Sequence, residues 1–327
     1  MNTQLYPWQQ RQWKSLLKVQ RKNRLPNALL LSGIAGLGKT EFAKNFVRFL
    51  LCNTSSETPC NHCRNCRLLQ ANNHPDYFNV NLKEKSKNIR VEQIRVVCTS
   101  LKQTAQYGGY QIVIIEKADR MDRAAANALL KTLEEPPGKV LIILVSNTSY
   151  LLPATVQSRC QTLYFSSQPK EKTIAWLKEQ LGDTEQAQLL LKMSENSPFK
   201  AIELAKKNST ELLEKLLTHL TDIYKGKRNP IAAVPGFLKS DLSLLLHLFS
   251  CLAFDIFRLQ LGIQKNYITY EPYFSQLKTL GSIIKVESLS HFLTRIQQAE
   301  QQIKSGTNPN TQLLLEDLLL HWVHLCS

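Results

Sequence analysis

Asn27-Ala28-Leu29-Leu30-Leu31-Ser32-Gly33-Ile34-Ala35-Gly36-Leu37-Gly38-Lys39-Thr40 decides the fold. A short apolar run, the length of one strand, enters a Gly-x4-Gly-Lys-Thr loop, and residues 40 to 51 behind it carry helical spacing. Each part of that loop has a mechanical reason. The glycines let backbone N–H groups turn onto phosphate oxygens, Lys39 reaches the terminal phosphates, the Thr40 hydroxyl suits a magnesium ion, and the helix behind offers its positive end. The next strand-like run, Gln111-Ile112-Val113-Ile114-Ile115, ends in Glu116-Lys117-Ala118-Asp119. A hydrolysing enzyme with this loop needs an acid at that strand end for the metal and a carboxylate directly after it to activate water. Glu116 suits the first need. Lys117 fails the second, because an ammonium group neither accepts a proton from water nor polarises it for attack. Asp119 lies three residues beyond Glu116 and is not expected to substitute. The sequence therefore predicts a nucleotide cradle built from Gly33, Gly36, Gly38, Lys39, Thr40 and Glu116, with little or no turnover.

Working outward, further strands are expected at residues 76–82, 140–145 and 161–165, and helices at 8–21, 90–106 and 122–134, the last stopped by Pro136-Pro137. Strands alternating with helices predict a parallel α/β sheet. After Ser166 the pattern becomes helical. Three short helical patterns fill 168–207, and helical periods continue from 208 to the end. The expected organisation is an α/β domain over 1–166, a small helical domain over 167–207 and a helical domain over 208–327. Residues 242–261 are apolar on nearly every side but carry His247, Asp255 and Arg258, so they read as a buried bundle helix and a poor membrane span. With no targeting segment visible, a cytoplasmic location is expected.

The chain has 327 residues, and its formal net charge is +15, a balance that points to phosphates and nucleic acid as surroundings. Of eight cysteines, Cys98, Cys160, Cys251 and Cys326 are scattered and read as ordinary thiols. Cys52, Cys60, Cys63 and Cys66 form C-x7-C-x2-C-x2-C, a spacing that lets thiolates converge on one tetrahedral ion. A closed four-thiolate site leaves no open position for water, so a structural Zn2+ is expected there, with Arg64 and Arg67 offsetting its negative charge.

Together these motifs carry a resemblance. The run Ala124-Ala125-Ala126-Asn127-Ala128-Leu129-Leu130-Lys131-Thr132-Leu133-Glu134-Glu135-Pro136-Pro137, the triplet Ser158-Arg159-Cys160 and the four-cysteine insert resemble bacterial clamp-loader subunits of the AAA+ ATPase superfamily. Tyr6-Pro7-Trp8 and Asn73-His74-Pro75-Asp76 fit the delta-prime family of the DNA polymerase III clamp loader within that group. The resemblance is dense over 5–166 and rests mainly on helical layout beyond. It implies an AAA+ P-loop domain followed by a lid domain and a collar domain that joins subunits into a ring. It also implies that Arg159 reaches the ATP of a neighbouring subunit as an arginine finger, that Ser146 or Asn147 takes the sensor-1 place, and that Asn196-Ser197-Pro198-Phe199-Lys200-Ala201 stands where an ATPase carries a sensor-2 arginine. Phe199 replaces that arginine, a second missing catalytic part.

The function implied is a non-motor subunit in DNA replication that helps load a sliding clamp onto primed DNA. Its implied partners are ATPase and clamp-opening subunits, and its implied ligands are Zn2+ and, at the cradle, ATP or ADP with Mg2+. Polymerase (nucleotidyltransferase) chemistry would belong to the larger holoenzyme, since no such site is visible in this chain. The alternatives are an ATP-hydrolysing motor-type clamp-loader subunit, which the intact loop favours, and a zinc-dependent nucleic-acid-binding protein with a vestigial ATPase fold.

Overall fold

Three of the five strands are apolar but for one terminal residue each, Ser32, Gln111 and Ser146, because both of their faces are covered. In the computed structural model, which describes residues 5–54, 57–83, 86–107, 109–166, 170–305 and 309–326, β1 is Ala28–Ser32, β2 Tyr77–Val80, β3 Gln111–Ile115, β4 Val140–Ser146 and β5 Gln161–Tyr164. Every residue of β1, β3 and β4 is buried, whereas the edge strands β2 and β5 are only partly so. The sheet is parallel throughout, in the order β2-β3-β4-β1-β5, with Leu30 opposite Leu144 and Val113 opposite Ile142. The strands meet the sequence expectation to within a residue or two.

Alternate residues feed two cores. Leu29, Leu31, Ile112, Ile114, Leu141 and Ile143 face α1 (Gln10–Arg21) and α2 (Lys39–Leu51), where Trp13, Phe42, Phe46 and Phe49 pack edge-on or stacked. A helix α3 (Arg64–Gln70) follows the cysteine spacing. The opposite residues, Leu30, Val113, Ile115, Ile142 and Leu144, face α4 (Val91–Ser100) and α5 (Arg123–Glu134). Asp122 caps α5 by accepting from Ala125 N at 2.7 Å. The helix expected over 90–106 stops at Ser100. Beyond it the carboxylate of Asp76 takes the backbone N–H of Gln106 at 2.8 Å and of Tyr107 at 3.1 Å, holding that stretch as a returning loop. The four-residue helix α6 (Ala154–Gln157) leads to Arg159.

The chain forms two compact units: residues 1–176 with Ser197–Phe199, and Leu177–Asn196 with residues 200–327. The sequence boundary between 166 and 167 meets residues 167–169, which lie outside the described residues. Helices α7 (Lys170–Leu181), α8 (Thr184–Met193), α9 (Pro198–Lys206), α10 (Ser209–Tyr224), α11 (Pro230–Ala233), α12 (Leu242–Gln260), α13 (Phe274–Gly281), α14 (Val286–Ser305) and α15 (Thr311–Cys326) complete the fold. In the second unit α12 packs with α13 and α14, and Leu245, Leu248, Phe249, Leu252 and Ile256 are fully or almost fully buried. By length and composition alone α12 could cross a membrane, yet half of its apolar window is buried within the protein. Asp255, fully buried on this helix, accepts from Thr269 N at 2.9 Å, Tyr270 N at 2.7 Å and Arg258 at 2.8 Å, so its charge pins the loop before α13.

Candidate functional site

The loops after β1, β3 and β4 open at the same carboxyl edge of the parallel sheet, the edge at which such sheets hold ligands. This brings Gly33–Thr40, Glu116–Asp119 and Asn147 to one place. The loop turns through Gly33, Gly36 and Gly38 at φ of +152°, +75° and +72°. Two of these glycines are also required by what lies against them. A Cβ on Gly33 would stand 2.4 Å from the carbonyl oxygen of Phe165, and one on Gly38 would stand 2.9 Å from Gln9 Nε2 and 3.0 Å from the ring of Phe199.

Lys39 opens α2 and is 4% exposed. Its Nζ donates to Gly33 O and Ile34 O, both at 2.7 Å, and to Asn147 Oδ1 at 2.8 Å, so all three donors are used within the loop and its sensor-side neighbour. Burial lowers its pKa to about 8, against the opposing pull of Asp119. Thr40 is half-buried on the first turn of α2. A phosphate entering this cradle would have to replace the internal partners of Lys39.

An aromatic cluster backs the loop. Tyr6 stacks on Trp8 with ring centres 5.1 Å apart, Phe199 meets Tyr6 edge-on at 4.8 Å, and Trp176 meets Trp8 edge-on at 5.1 Å. Trp8 Nε1 donates to Leu37 O at 3.0 Å, and Gln9 Nε2 donates to Leu37 O at 2.9 Å and Gly38 O at 3.0 Å. Ser197 Oγ donates to Ala35 O at 2.8 Å, and Phe199 N to Gly36 O at 3.2 Å. The stretch around Phe199 is thus hydrogen-bonded to the loop that it packs on. Lys200, its neighbour, belongs to the second unit and lines a cavity there with Glu195, Glu203 and Lys207. Gln9 and Trp176 carry no signal in the sequence, because nothing in a lone Gln or a lone Trp marks a contact with the loop or with the rings behind it.

Glu116 is buried and committed elsewhere. Lys44 Nζ lies 3.1 Å from its carboxylate, Asn79 Nδ2 donates at 3.0 Å and Asn81 Nδ2 at 3.3 Å. Lys117, next to it, sits in the left-handed region at φ +52° with its side chain exposed. Asp119 is the carboxylate that joins the cradle network. Its Oδ1 accepts from Ser146 Oγ at 3.0 Å and Asn147 N at 3.1 Å, so Asp119, Asn147 and Lys39 form one chain of contacts. Ser146 is fully buried and faces Asp119, while Asn147 supplies the oxygen for Lys39.

Arg159 stands apart from this network, at the turn after α6. Its Nε donates to Glu134 Oε1 at 2.6 Å and its Nη1 to Thr155 O at 2.9 Å. Its side chain is 36% exposed and that of Glu134 is 48% exposed. Glu134, the last residue of α5, was not foreseen as its partner.

The four cysteines converge as their spacing requires. Their Sγ atoms all lie within 4.8 Å of one another, close enough to share one metal ion, with Cys52 and Cys63 at 4.0 Å and Cys60 and Cys66 at 3.9 Å. Backbone N–H groups of Cys60 and Cys63 point at Cys52 Sγ and Cys60 Sγ at 3.4 and 3.3 Å. Hydrogen bonds, that of the Thr54 hydroxyl first, pull the Cys60 thiol down to about 5.

Comparison with known proteins agrees across most of the chain. The family described as DNA polymerase III, delta subunit, matches residues 8–169, and that described as DNA polymerase III, delta subunit, C terminal, matches residues 207–324. DNA polymerase III subunit delta' of Pseudomonas aeruginosa is 32% identical over 98% of this chain and 98% of that protein. DNA polymerase III subunit delta' of Escherichia coli is 30% identical over 98% of this chain and 95% of that protein. A solved DNA polymerase III, gamma subunit-related protein of Thermotoga maritima aligns over 97% of this chain and 100% of that chain, with a TM-score of 0.44 at 20% identity.

Proposed function

The chain belongs to the family of DNA polymerase III delta-prime subunits, and on that premise we propose that it is a non-motor subunit of a clamp-loader assembly that offers Arg159 to the ATP of a neighbouring subunit. The observation that carries this reading is the contrast between its cations. Lys39 and the acid Glu116 are satisfied inside the chain, whereas Arg159 lies at the surface, held by the exposed carboxylate of Glu134 and the backbone oxygen of Thr155. A guanidinium is always charged and offers a planar fork to phosphate oxygens. An exposed ion pair is worth about 0–1 kcal/mol, so Arg159 can exchange Glu134 for a phosphate at small cost. The partners in this reading are ATPase and clamp-opening subunits, the sliding clamp and primed DNA.

At the cradle, ATP would supply a phosphate chain for the loop N–H groups and for Lys39 to hold, with Asn147 alongside. Neither residue that the strand end offers suits water activation: Lys117 is a cation, and Glu116 is bound by Lys44. Binding without turnover is the role proposed. At the cysteine cluster we assign a structural Zn2+. Four thiolates at the usual 2.3 Å bond length form a tetrahedron with edges of about 3.8 Å, close to the two sulfur–sulfur distances given above. One zinc per folded chain is the expected result of elemental analysis.

The test is ATP turnover by the purified chain, with and without DNA, and by the assembly reconstituted with its ATPase and clamp-opening partners. Negligible turnover alone, and an assembly slowed by Arg159→Ala, are expected. Turnover by the isolated chain that Lys39→Ala abolishes would sink the non-motor reading. An unimpaired Arg159→Ala assembly would remove the arginine finger. One observation favours the motor-type alternative, the link of Asp119 through Asn147 to Lys39, and loss of isolated-chain turnover in Asp119→Asn would be its signature.

A further inference from the structure

Helix α1 carries a stripe of one charge sign that no catalytic or packing role uses. Arg11, Lys14, Lys18, Arg21 and Lys22 are all exposed. At 100° per residue they fall within an arc of about 100°, along about 15 Å of helix. Arg24, also exposed, follows directly. The buried face of the same helix, Gln12, Trp13, Leu16 and Leu17, points into the core. Residues 1 to 40 contain no Asp or Glu at all. Among the described residues, Arg21 has an ion pair, with Glu57, and none is found for Arg11, Lys14, Lys18, Lys22 or Arg24.

This is a poor arrangement for a helix that only faces water. Arg11 and Lys14, Lys14 and Lys18, Lys18 and Arg21, and Lys18 and Lys22 are like-charge neighbours at i,i+3 or i,i+4, each of which opposes helix formation. Arg11 and Lys14 also lie in the first turns, where the helix dipole disfavours cations, and the first turn has no acid to compensate. A solvated helix face ordinarily interleaves signs. A stripe of uncompensated cations gains its return when a polyanion is laid along it.

We infer that the outer face of α1 is a docking surface for the sugar-phosphate backbone of DNA, with Arg11, Lys14, Lys18, Lys22 and Arg24 as the contacts. Fifteen ångströms of stripe equals the rise of about four phosphates of one strand along a duplex axis, at about 3.4 Å per charge. An anionic lipid surface fits less well. A helix lying on lipid offers it an apolar face, and the apolar face of α1 is already consumed by the core. The inference rests on the charge pattern and is independent of the roles given to Arg159 and to the cradle.

The test uses the full chain and fluorescently labelled DNA of about 20 nucleotides, as single strand and as duplex, titrated by anisotropy over a salt series. Lys14→Gln/Lys18→Gln/Lys22→Gln is compared with a control that removes three exposed lysines of the second unit, Lys225→Gln/Lys227→Gln/Lys239→Gln. The stripe variant is expected to bind roughly tenfold more weakly, with the log affinity–log salt slope shallower by about 2 to 3. Its melting temperature should be equal or higher, because like-charge pairs are relieved. Lys18→Gln alone should show a smaller loss of the same kind and covers a folding failure of the triple variant. The form of DNA bound more tightly names the natural ligand. Equal loss in the control variant, absence of DNA binding at low salt, or binding to phosphatidylserine vesicles in place of DNA would each overturn the inference.

Discussion

In the proposed role Lys39 and Arg159 are cations that serve two different nucleotide sites, and the protein holds them in opposite ways. Lys39 is buried, donates to three oxygens of its own unit and has a depressed pKa. Arg159 lies in the same unit at a surface turn, where one exposed carboxylate and the backbone oxygen of Thr155 restrain it. A cation locked inward serves the local fold first. A cation parked on a surface acid keeps its position until a better anion arrives. On the proposed reading, that difference separates a part kept for its own chain from a part kept for another.

The largest expected effect lies on the outward side. Arg159→Ala in the reconstituted assembly should cut ATP turnover at the neighbouring site by about 10³-fold or more, and Arg159→Lys should recover little, since a point charge lacks the fork. Single-turnover kinetics would read both, and full recovery by Lys would reduce the comparison to simple charge. On the inward side, Phe199→Ala should destabilise the P-loop unit by about 2 kcal/mol, measured by denaturant unfolding, because it empties a half-buried aromatic contact on Gly38. An unchanged midpoint would show that the cluster does not brace the loop.

The pH response should also differ. With the Lys39 pKa near 8, the ammonium is present at pH 7 and largely lost at pH 9, so fluorescent-nucleotide affinity should fall by up to roughly tenfold over that interval. Before nucleotide enters, the sign is reversed for stability. The native state releases this proton before the unfolded chain does, so stability gains from Lys39 as pH rises from about 8 toward the ordinary lysine value of 10.5. The Arg159-dependent step should stay flat across the same range. The smallest effect belongs to Glu134→Gln. It should change stability by less than about 1 kcal/mol and turnover of the assembly by only a few-fold. A large loss there would make Glu134 a working part in its own right.

The sequence made the cradle and the sheet legible for local reasons. Glycine spacing and apolar runs are written within a few residues of where they act, so Gly33–Thr40 and β1, β3 and β4 could be placed directly. The cysteine cluster was legible because its ligands lie within fifteen residues of chain. Contacts between distant stretches left no such trace. Glu116 meets Lys44, Arg159 meets Glu134, and Phe199 meets Gly38 across 72, 25 and 161 positions, and no residue type announces such a meeting. The helical period of the sequence runs on to Gln106, past the end of α4 at Ser100, for the same reason, since the Asp76 carboxylate that claims Gln106 and Tyr107 is thirty residues upstream. Periodicity shows which face a residue takes but not which loop will compete for its backbone.

The bracing of Gly38 by Phe199 has a consequence for descent. A chain that lacked only the carboxylate at position 117 could gain it by a single substitution. Here a reverting chain would also have to free Glu116 from Lys44 and exchange a ring packed against the loop for a guanidinium, and each change alone loosens the fold before it restores any chemistry. At these two contacts selection acting one substitution at a time meets a loss at the first step. On the proposed non-motor reading, the loop motif can therefore persist as sequence while these two contacts hold the way to a motor closed.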